Sequence, residues 1–109
     1  MLQDQFVHFE EDFTINITLG ANNSANTVTC YIGTDPYRPA DVVLSSANTE
    51  QVVLTDANTN SYSVNYKLVP GIWTPYKTIN YRVDVTRDDK VTTHTWGKIF
   101  ISPSVLPQP

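Results

Sequence analysis

Short stretches of this chain alternate apolar with polar residues, and loop-forming residues separate one stretch from the next. Phe13, Ile15 and Ile17 fall on one face of an extended strand, while the intervening Thr and Asn residues fall on the other. Segments 62–68 and 81–85 repeat this pattern. Because side chains alternate between the two faces of a strand, each segment offers one apolar and one polar face. The pattern predicts β-strands and no amphipathic helix.

Turn-forming residues divide the chain into about seven predicted strands. Firm strands are expected at 13–19, 27–32, 61–69, 79–87 and 91–101, with weaker ones at 6–9, 42–44 and 52–55. Their apolar faces are hidden when two sheets pack together. This spacing favours an all-β, immunoglobulin-like antiparallel β-sandwich with extended termini, and a small jelly roll or partly closed barrel is the alternative. The expected parts are an N-terminal arm or edge strand (1–12), the sandwich (13–102) and a Pro-rich tail (103–109).

The last predicted strand departs from simple alternation. Val91 shares its face with Ile99, whereas Trp96 and Phe100 fall on the opposite face. Gly97 lacks a side chain, so a neighbouring backbone or ring can approach closely there, and a β-bulge at this position is plausible. We therefore expect a strand that is apolar on both faces near its end.

Charge and cysteine content narrow the classes of partner. Eleven acidic and seven scattered basic residues leave a net charge of −4, which disfavours nucleic acid and anionic membranes as partners. Cys30 is the only cysteine, which excludes an internal disulfide and a cysteine zinc site, and its apolar neighbours predict a buried thiol. Neither a signal peptide nor a membrane-length apolar run is recognised. These features predict synthesis in a reducing cytoplasm.

No catalytic set emerges from the sequence. His8 and His94 lie far apart, each within a strand-like stretch, and no serine stands on a nucleophile-elbow motif. The acidic clusters at 10–12 and 88–89 carry oxygen ligands of the kind that calcium prefers, but they lack its ligand spacing. Solvated turns explain both clusters better, and 88–89 suits a tight hairpin turn. We predict no catalytic residue, no metal site and no cofactor.

Aromatic residues outside the predicted strands are the remaining candidates for a contact site. Tyr37, Trp73 and Tyr76 fall in irregular segments, where large aromatic side chains are freer to be exposed. Exposed Trp and Tyr side chains often mark contact sites, because they bury a large area at low entropic cost. Plain loop packing is the alternative for these three residues. A protein surface would suit them better than a small ligand.

Three stretches of the sequence share the pattern of a known group of proteins. They are an opening strand (11–17), a strand of aromatic, valine, aspartate and valine residues (81–85), and a glycine-containing final strand (95–101) after a two-acid turn. Together they resemble small immunoglobulin-like virion proteins of tailed bacteriophages. The resemblance implies a β-sandwich that decorates or cements a capsid, or that builds tail, baseplate or fibre parts. It brings no catalytic residue with it.

The expected function is therefore that of a non-enzymatic structural protein of a phage virion, most directly a capsid decoration or cement protein made in a bacterial cytoplasm. Its expected partners are the major capsid protein or a tail protein, with homo-oligomers within the assembly. Segments 2–9 and 102–109 are expected to act as arms that become ordered on contact with neighbouring subunits. A tail, baseplate or fibre component is the first alternative, and a carbohydrate-binding or adhesion module is the second. The predicted contact residues are Leu2, Phe6, Phe9, Tyr37, Trp73, Tyr76, Val105 and Leu106.

Overall fold

The computed structural model describes residues 1–7, 12–25, 27–35, 37–48, 50–67, 73 and 78–101. Its regular elements are the eight strands β1 Gln5–Val7, β2 Asp12–Thr18, β3 Thr27–Gly33, β4 Val42–Ser45, β5 Val52–Asp56, β6 Ser61–Lys67, β7 Thr78–Arg87 and β8 Lys90–Ile101. The prediction of an all-β fold is confirmed. Within this part of the chain there is no helix with the length and hydropathy needed to cross a membrane.

The strands form two sheets that together make a β-sandwich. The larger sheet has the order β1-β8-β7-β3-β4, and the smaller one has the order β2-β6-β5. All neighbouring strands are antiparallel except β1 and β8, which run parallel. The immunoglobulin-like architecture typically divides its strands between two sheets in this way, with some strands joined by hairpins and others by crossings. The predicted sandwich is thus observed, with β1 as an eighth strand.

The core lies between the two sheets and consists of the inward-facing residues of both. Val28, Cys30 and Ile32 of β3 are fully buried, as are Val64 of β6 and Ile99 of β8. Branched side chains at alternating strand positions pack well on a pleated surface, which explains why these segments form strands. The prediction that Cys30 is buried as a small apolar residue is confirmed. Among the described residues the apolar core comprises Val7, Ile15, Ile17, Leu19, Val28, Cys30, Ile32, Leu44, Val52, Val64, Trp73, Ile79, Tyr81, Val83, Val85, Ile99 and Ile101.

A β-bulge interrupts the longest hairpin, β7–β8. Val83 pairs with Thr95, but the next residue, Asp84, pairs with Thr93. His94 is therefore the extra residue on β8. One extra residue reverses the alternation of side chains beyond it, because the period of a strand is two.

This bulge corrects two sequence predictions. Val91 was expected on the face of Ile99, but it is 63% exposed because the bulge at His94 reverses the alternation. The bulge itself is not at Gly97. The other role predicted for Gly97 is confirmed, because a Cβ atom built there would lie only 2.8 Å from the carbonyl carbon of Gln3.

The N-terminal residues, which were expected to be loose, lie along the free edge of β8. The backbone N–H of Gln3 donates to the carbonyl of Trp96 at 2.8 Å, and that of Lys98 donates to Oδ1 of Asp4 at 2.9 Å. The Tyr81 hydroxyl donates to the Gln3 carbonyl. This segment is therefore an edge strand held by side chains as well as by its backbone.

The solvent-facing side of the three-stranded sheet is lined by paired polar side chains, and we call it the polar wall. Each pair joins β2 to β6 at directly opposite positions, so the polar groups satisfy one another across the strands. The pairs are Thr14 with Asn65 at 3.1 Å, Asn16 with Ser63 at 2.8 Å, and Thr18 with Ser61 at 3.0 Å.

Candidate functional site

Five side chains form one row across the solvent-facing side of the five-stranded sheet, which we call the outer face. Leu2 forms a parallel bridge with Trp96, and Trp96 lies opposite Arg82. Arg82 lies opposite Tyr31, and Tyr31 lies opposite Val43. Directly opposite residues in a sheet have their Cβ atoms about 4.5–5.5 Å apart, so their side chains can touch. We call these five residues the central row.

The central row is unusually apolar for a surface. Leu2 is 65% exposed, Val43 is 51% exposed and Trp96 is 45% exposed. Single exposed apolar residues are common on soluble proteins, but a continuous apolar patch marks a contact surface. Trp, Tyr and Arg are also the residues that dominate the binding energy of protein interfaces. The composition and continuity of the row identify the outer face as the candidate site.

Arg82 is held in place by interactions on two sides. Its Nε lies 3.0 Å from Oδ1 of Asp84, a carboxylate that is almost fully buried. Its guanidinium carbon lies 5.2 Å from the centre of the Tyr31 ring, within the range of a cation–π interaction. Thr93 also donates to Oδ1 of Asp84, at 2.9 Å. The guanidinium group is thus oriented before any ligand arrives.

An open cavity of about 640 Å³ lies on the outer face, and we call it the outer pocket. Its floor is formed by strands β3, β7 and β8, and its side by β4 and the loop between β3 and β4. The lining residues combine aromatic rings with amide, carboxylate and guanidinium groups. They are Tyr31, Gly33, Asp35, Arg38, Pro39, Ala40, Val43, Asn80, Tyr81, Arg82, Thr93, Trp96 and Gly97.

The loop between β3 and β4 is shaped by two aspartates. Oδ1 of Asp35 accepts the backbone N–H of Tyr37 at 2.9 Å, and Oδ2 of the same residue lies 3.4 Å from Nε of Arg38. Oδ2 of Asp41 accepts the backbone N–H of Thr34 at 3.2 Å. Asp side chains commonly fix turns by accepting a backbone N–H two residues later. These bonds bring the loop beside the pocket and leave Tyr37 94% exposed.

A second apolar feature lies at the β1 side of the outer face. The rings of Phe6 and Phe100 stack with centroids 5.2 Å apart and an interplanar angle of 19°. Phe6 is 75% exposed, although it belongs to a strand. We call the Phe6–Phe100 pair the edge patch. This patch gives the edge of the sheet a surface from which a partner could exclude water.

The structure separates the predicted contact residues. Leu2, Phe6 and Tyr37 are exposed, and the first two lie together on the outer face. Trp73 is fully buried in the core, where its Nε1 donates to the hydroxyl of Tyr66 at 3.1 Å. Of the two alternatives considered for Trp73, an exposed contact residue or plain packing, the structure shows packing. Phe9, Tyr76, Val105 and Leu106 lie outside the described residues, as do His8 and the acidic residues 10–11.

Sequence reasoning missed the central part of the candidate site. Trp96 was placed on the face opposite to the core, but it was not chosen as a contact residue. The two residues that complete the site with it, Tyr31 and Arg82, lie on different strands and become neighbours only through the sheet register. Each of these two residues lies next to buried residues of its own strand, so the alternation of side chains could have predicted that both face solvent. The register that unites them is set by long-range pairing.

Within the described part of the chain, chemically reactive groups elsewhere do not form a second site. Burial, and secondarily the charge of Asp84, raises the pKa of Cys30 to about 12, so its thiol stays protonated and unreactive near neutral pH. Desolvation is the main cause that lowers the pKa of His94, and its Nδ1 lies 2.6 Å from Oγ1 of Thr95. Among the described residues no group of three or more His, Cys, Asp or Glu side chains could hold a metal ion.

Comparison with known proteins adds no functional information, since no family model and no curated protein sequence matches this chain. The candidate site is thus defined by geometry alone. It consists of an aromatic and arginine-bearing outer face with a pocket near its centre and an apolar patch at its edge. Such a surface can bind a partner or ligand by stacking, hydrogen bonding and exclusion of water.

Proposed function

We propose that the protein is a non-enzymatic structural component of a tailed-bacteriophage virion, most directly a capsid decoration or cement protein. A tail, baseplate or fibre component is the alternative within the same class. The observation that supports the proposal is the edge patch, in which the rings of Phe6 and Phe100 stack at one edge of the sheet. The resemblance of segments 11–17, 81–85 and 95–101 to small virion proteins supports it independently.

The edge patch has the properties of a docking surface for another protein. Phe6 is 75% exposed, which leaves much of its apolar area to be buried by a partner. Burial of such area contributes about 25 cal/mol per Å². Within the described residues β1 pairs with β8 alone, so its other side presents backbone donors and acceptors. A strand of a partner protein can add to such an edge.

The expected partner is the major capsid protein or a tail protein, and copies of the protein are expected to meet within the assembly. A single small patch gives a weak contact. Many symmetrically repeated patches on one particle raise the overall affinity, because each attached copy increases the effective concentration for its neighbours. The proposal includes no nucleic acid and no membrane partner. Its site of action is the virion, after synthesis in the bacterial host cytoplasm.

The test is the number of copies on purified phage particles, counted by quantitative mass spectrometry. Particles carrying the Phe6→Ser variant should hold at least tenfold fewer copies than wild-type particles. Leu54→Ser is the matched control, because Leu54 is also an exposed large apolar residue, 48% accessible, but lies on β5 of the other sheet. Its copy number should remain that of the wild type.

Two results would contradict the proposal. The first is the absence of the wild-type protein from purified particles, which would remove the virion role. The second is an equal copy number for Phe6→Ser and Leu54→Ser, which would show that the edge patch is not the attachment surface. Circular dichroism of both purified variants checks that each is folded.

A further inference from the structure

We infer that the outer pocket binds a neutral saccharide unit. Trp96 would pack against the apolar face of the sugar ring, and Tyr31, whose ring lies against the Arg82 guanidinium group, would hold that group in place. Arg82, Asn80 and Asp35 would bond the sugar hydroxyl groups. This inference goes beyond the proposed virion function, because it assigns a ligand to a different part of the outer face.

The dimensions of the outer pocket suit a small ligand. Its volume of about 640 Å³ falls within the range of about 300–1,000 Å³ that is usual for small-molecule sites. The pocket is open on one side, so a longer chain of sugar units could extend out of it. The β3–β4 loop, fixed by Asp35 and Asp41, supplies one wall. A disaccharide-sized ligand therefore fits without a change in the fold.

The Trp96 ring matches one side of a sugar ring. A pyranose ring carries a face of C–H bonds, which packs against the electron-rich face of an aromatic ring. Trp96 is 45% exposed, and Tyr31 is partly buried two strands away, with Arg82 between them. A large aromatic residue held on a strand provides such a platform with little loss of conformational entropy on binding.

The charges of the pocket favour an uncharged ligand. Among the described residues two cations line it, and each is already paired: Arg82 with Asp84 at 3.0 Å, and Arg38 with Asp35 at 3.4 Å. An anionic ligand would have to displace one of these carboxylates or add an uncompensated charge. Sugar hydroxyls can instead donate to a carboxylate or amide oxygen and accept from a guanidinium group without any net charge.

The outer pocket and the edge patch can be tested separately, because they are distinct in space. Trp96 and Phe100 are four residues apart on β8, which corresponds to about 13 Å along a strand. A substitution at Phe6 should therefore leave saccharide binding intact. A substitution at Asn80, which lines the pocket, should leave attachment to particles intact.

The test is a titration of the isotope-labelled protein with individual sugars, followed by nuclear magnetic resonance. The probes are glucose, galactose, mannose, N-acetylglucosamine and their disaccharides, with sialic acid and inorganic phosphate as charged probes. At least one neutral sugar should cause saturable shifts of the Trp96 indole and Arg82 guanidinium signals. Trp96→Ala and Asn80→Ala should each weaken binding at least tenfold, whereas Val91→Ala, an exposed position on the same strand, should leave it unchanged.

Several outcomes would overturn the inference. The absence of a saturable shift with every neutral sugar would do so, as would unchanged affinity in Trp96→Ala. Stronger binding of sialic acid or phosphate than of any neutral sugar would contradict the argument from paired charges. Loss of sugar binding in Phe6→Ser would place the site at the edge patch instead. A negative titration would leave the copy number on particles, and hence the proposed virion function, unaffected.

Discussion

The two tryptophans of this chain occupy opposite environments. Trp73 is fully buried and bonds the hydroxyl of Tyr66, whereas nearly half of the Trp96 surface is exposed on the outer face. A large aromatic side chain contributes strongly to the free energy of folding when it is buried in the core, and to the free energy of binding when a partner covers it. Trp73 therefore contributes to folding, and Trp96 is free to contribute to binding.

Substitution of the two tryptophans should have very different effects on stability. Trp73→Ala removes a buried ring and leaves a cavity, so the free energy of unfolding should fall by about 3–5 kcal/mol. Trp96→Ala should lower it by less than about 1 kcal/mol, because the side chain is only partly covered. Urea denaturation of the two variants measures the difference. Equal losses would mean that Trp73 does not occupy the core.

Burial of Cys30 makes stability depend on alkaline pH. The folded protein raises the pKa of its thiol from 9.0 to about 12, chiefly by desolvation, so the thiolate forms more readily in the unfolded chain. The contribution of the neutral thiol is complete below pH 9 and is lost as the pH rises from about 9 to about 12.

The wild-type protein should therefore lose more stability than Cys30→Ala between pH 8 and pH 10.5. The additional loss should be about 2 kcal/mol, since each unit of pH above the unfolded pKa costs about 1.4 kcal/mol. Urea denaturation under reducing conditions at the two pH values measures it. Titrating groups that do not interact with Cys30 are present in both proteins and cancel. An identical loss in both proteins would show that the thiol is accessible when folded.

The β7–β8 hairpin depends on an unusual turn. Asp88 and Asp89 have φ angles of 48° and 66°, and they link strands that pair up to Arg87 and Lys90. Positive φ at both central residues is typical of the two-residue type I′ turn, whose twist matches that of the strands. Asp tolerates this conformation better than most residues, but glycine adopts it without steric cost.

Substitutions at Asp89 should test the turn in both directions. Asp89→Gly should stabilise the protein by about 0.5–1 kcal/mol, the usual gain from relieving a strained turn position. Asp89→Ala should destabilise it by about 1 kcal/mol, because Asp adopts the left-handed backbone conformation of this position more readily than alanine. Thermal unfolding of the two variants gives both values. A loss of stability in both would indicate a turn with negative φ at this position.

Gly97 couples β1 to the rest of the larger sheet. A Cβ atom at this position would collide with the backbone of Gln3, so Gly97→Ala should push the N-terminal strand away from β8. The expected cost is about 1–3 kcal/mol, with faster hydrogen exchange in residues 1–7. Gly33→Ala is the control, because its nearest contact would be an ordinary 3.5 Å to Ala40. Similar exchange of residues 1–7 in both variants would contradict the close approach.

Much of the strand pattern could be predicted from the sequence, because alternation is a local signal. The strands around Ile15, Val64 and Val83 were recognised in this way, as was the turn between β7 and β8. The bulge at His94 could not be, because an extra residue is visible only against the pairing partner on β7. The same limit applies to the candidate site, since Arg82 and Trp96 meet through long-range register.

Self-association of the protein should depend on the edge patch. On the proposed function, light scattering after size exclusion should give a mass that is a multiple of the 12.2 kDa chain. Phe6→Ser should shift this mass toward that of the monomer, whereas Leu54→Ser should not, because Leu54 lies on the other sheet. A wild-type monomer at every concentration would favour the adhesion-module alternative.

On the proposed function, the polar wall has a consequence for the particle to which the protein attaches. Its hydroxyl and amide groups form hydrogen bonds with one another in pairs across β2 and β6, so few of them remain available to bind other molecules. A copy attached through its outer face would expose the polar wall, on the opposite sheet, to solvent. A layer of such copies would therefore resist non-specific adsorption, because it would offer other molecules little apolar surface and few free hydrogen-bonding groups.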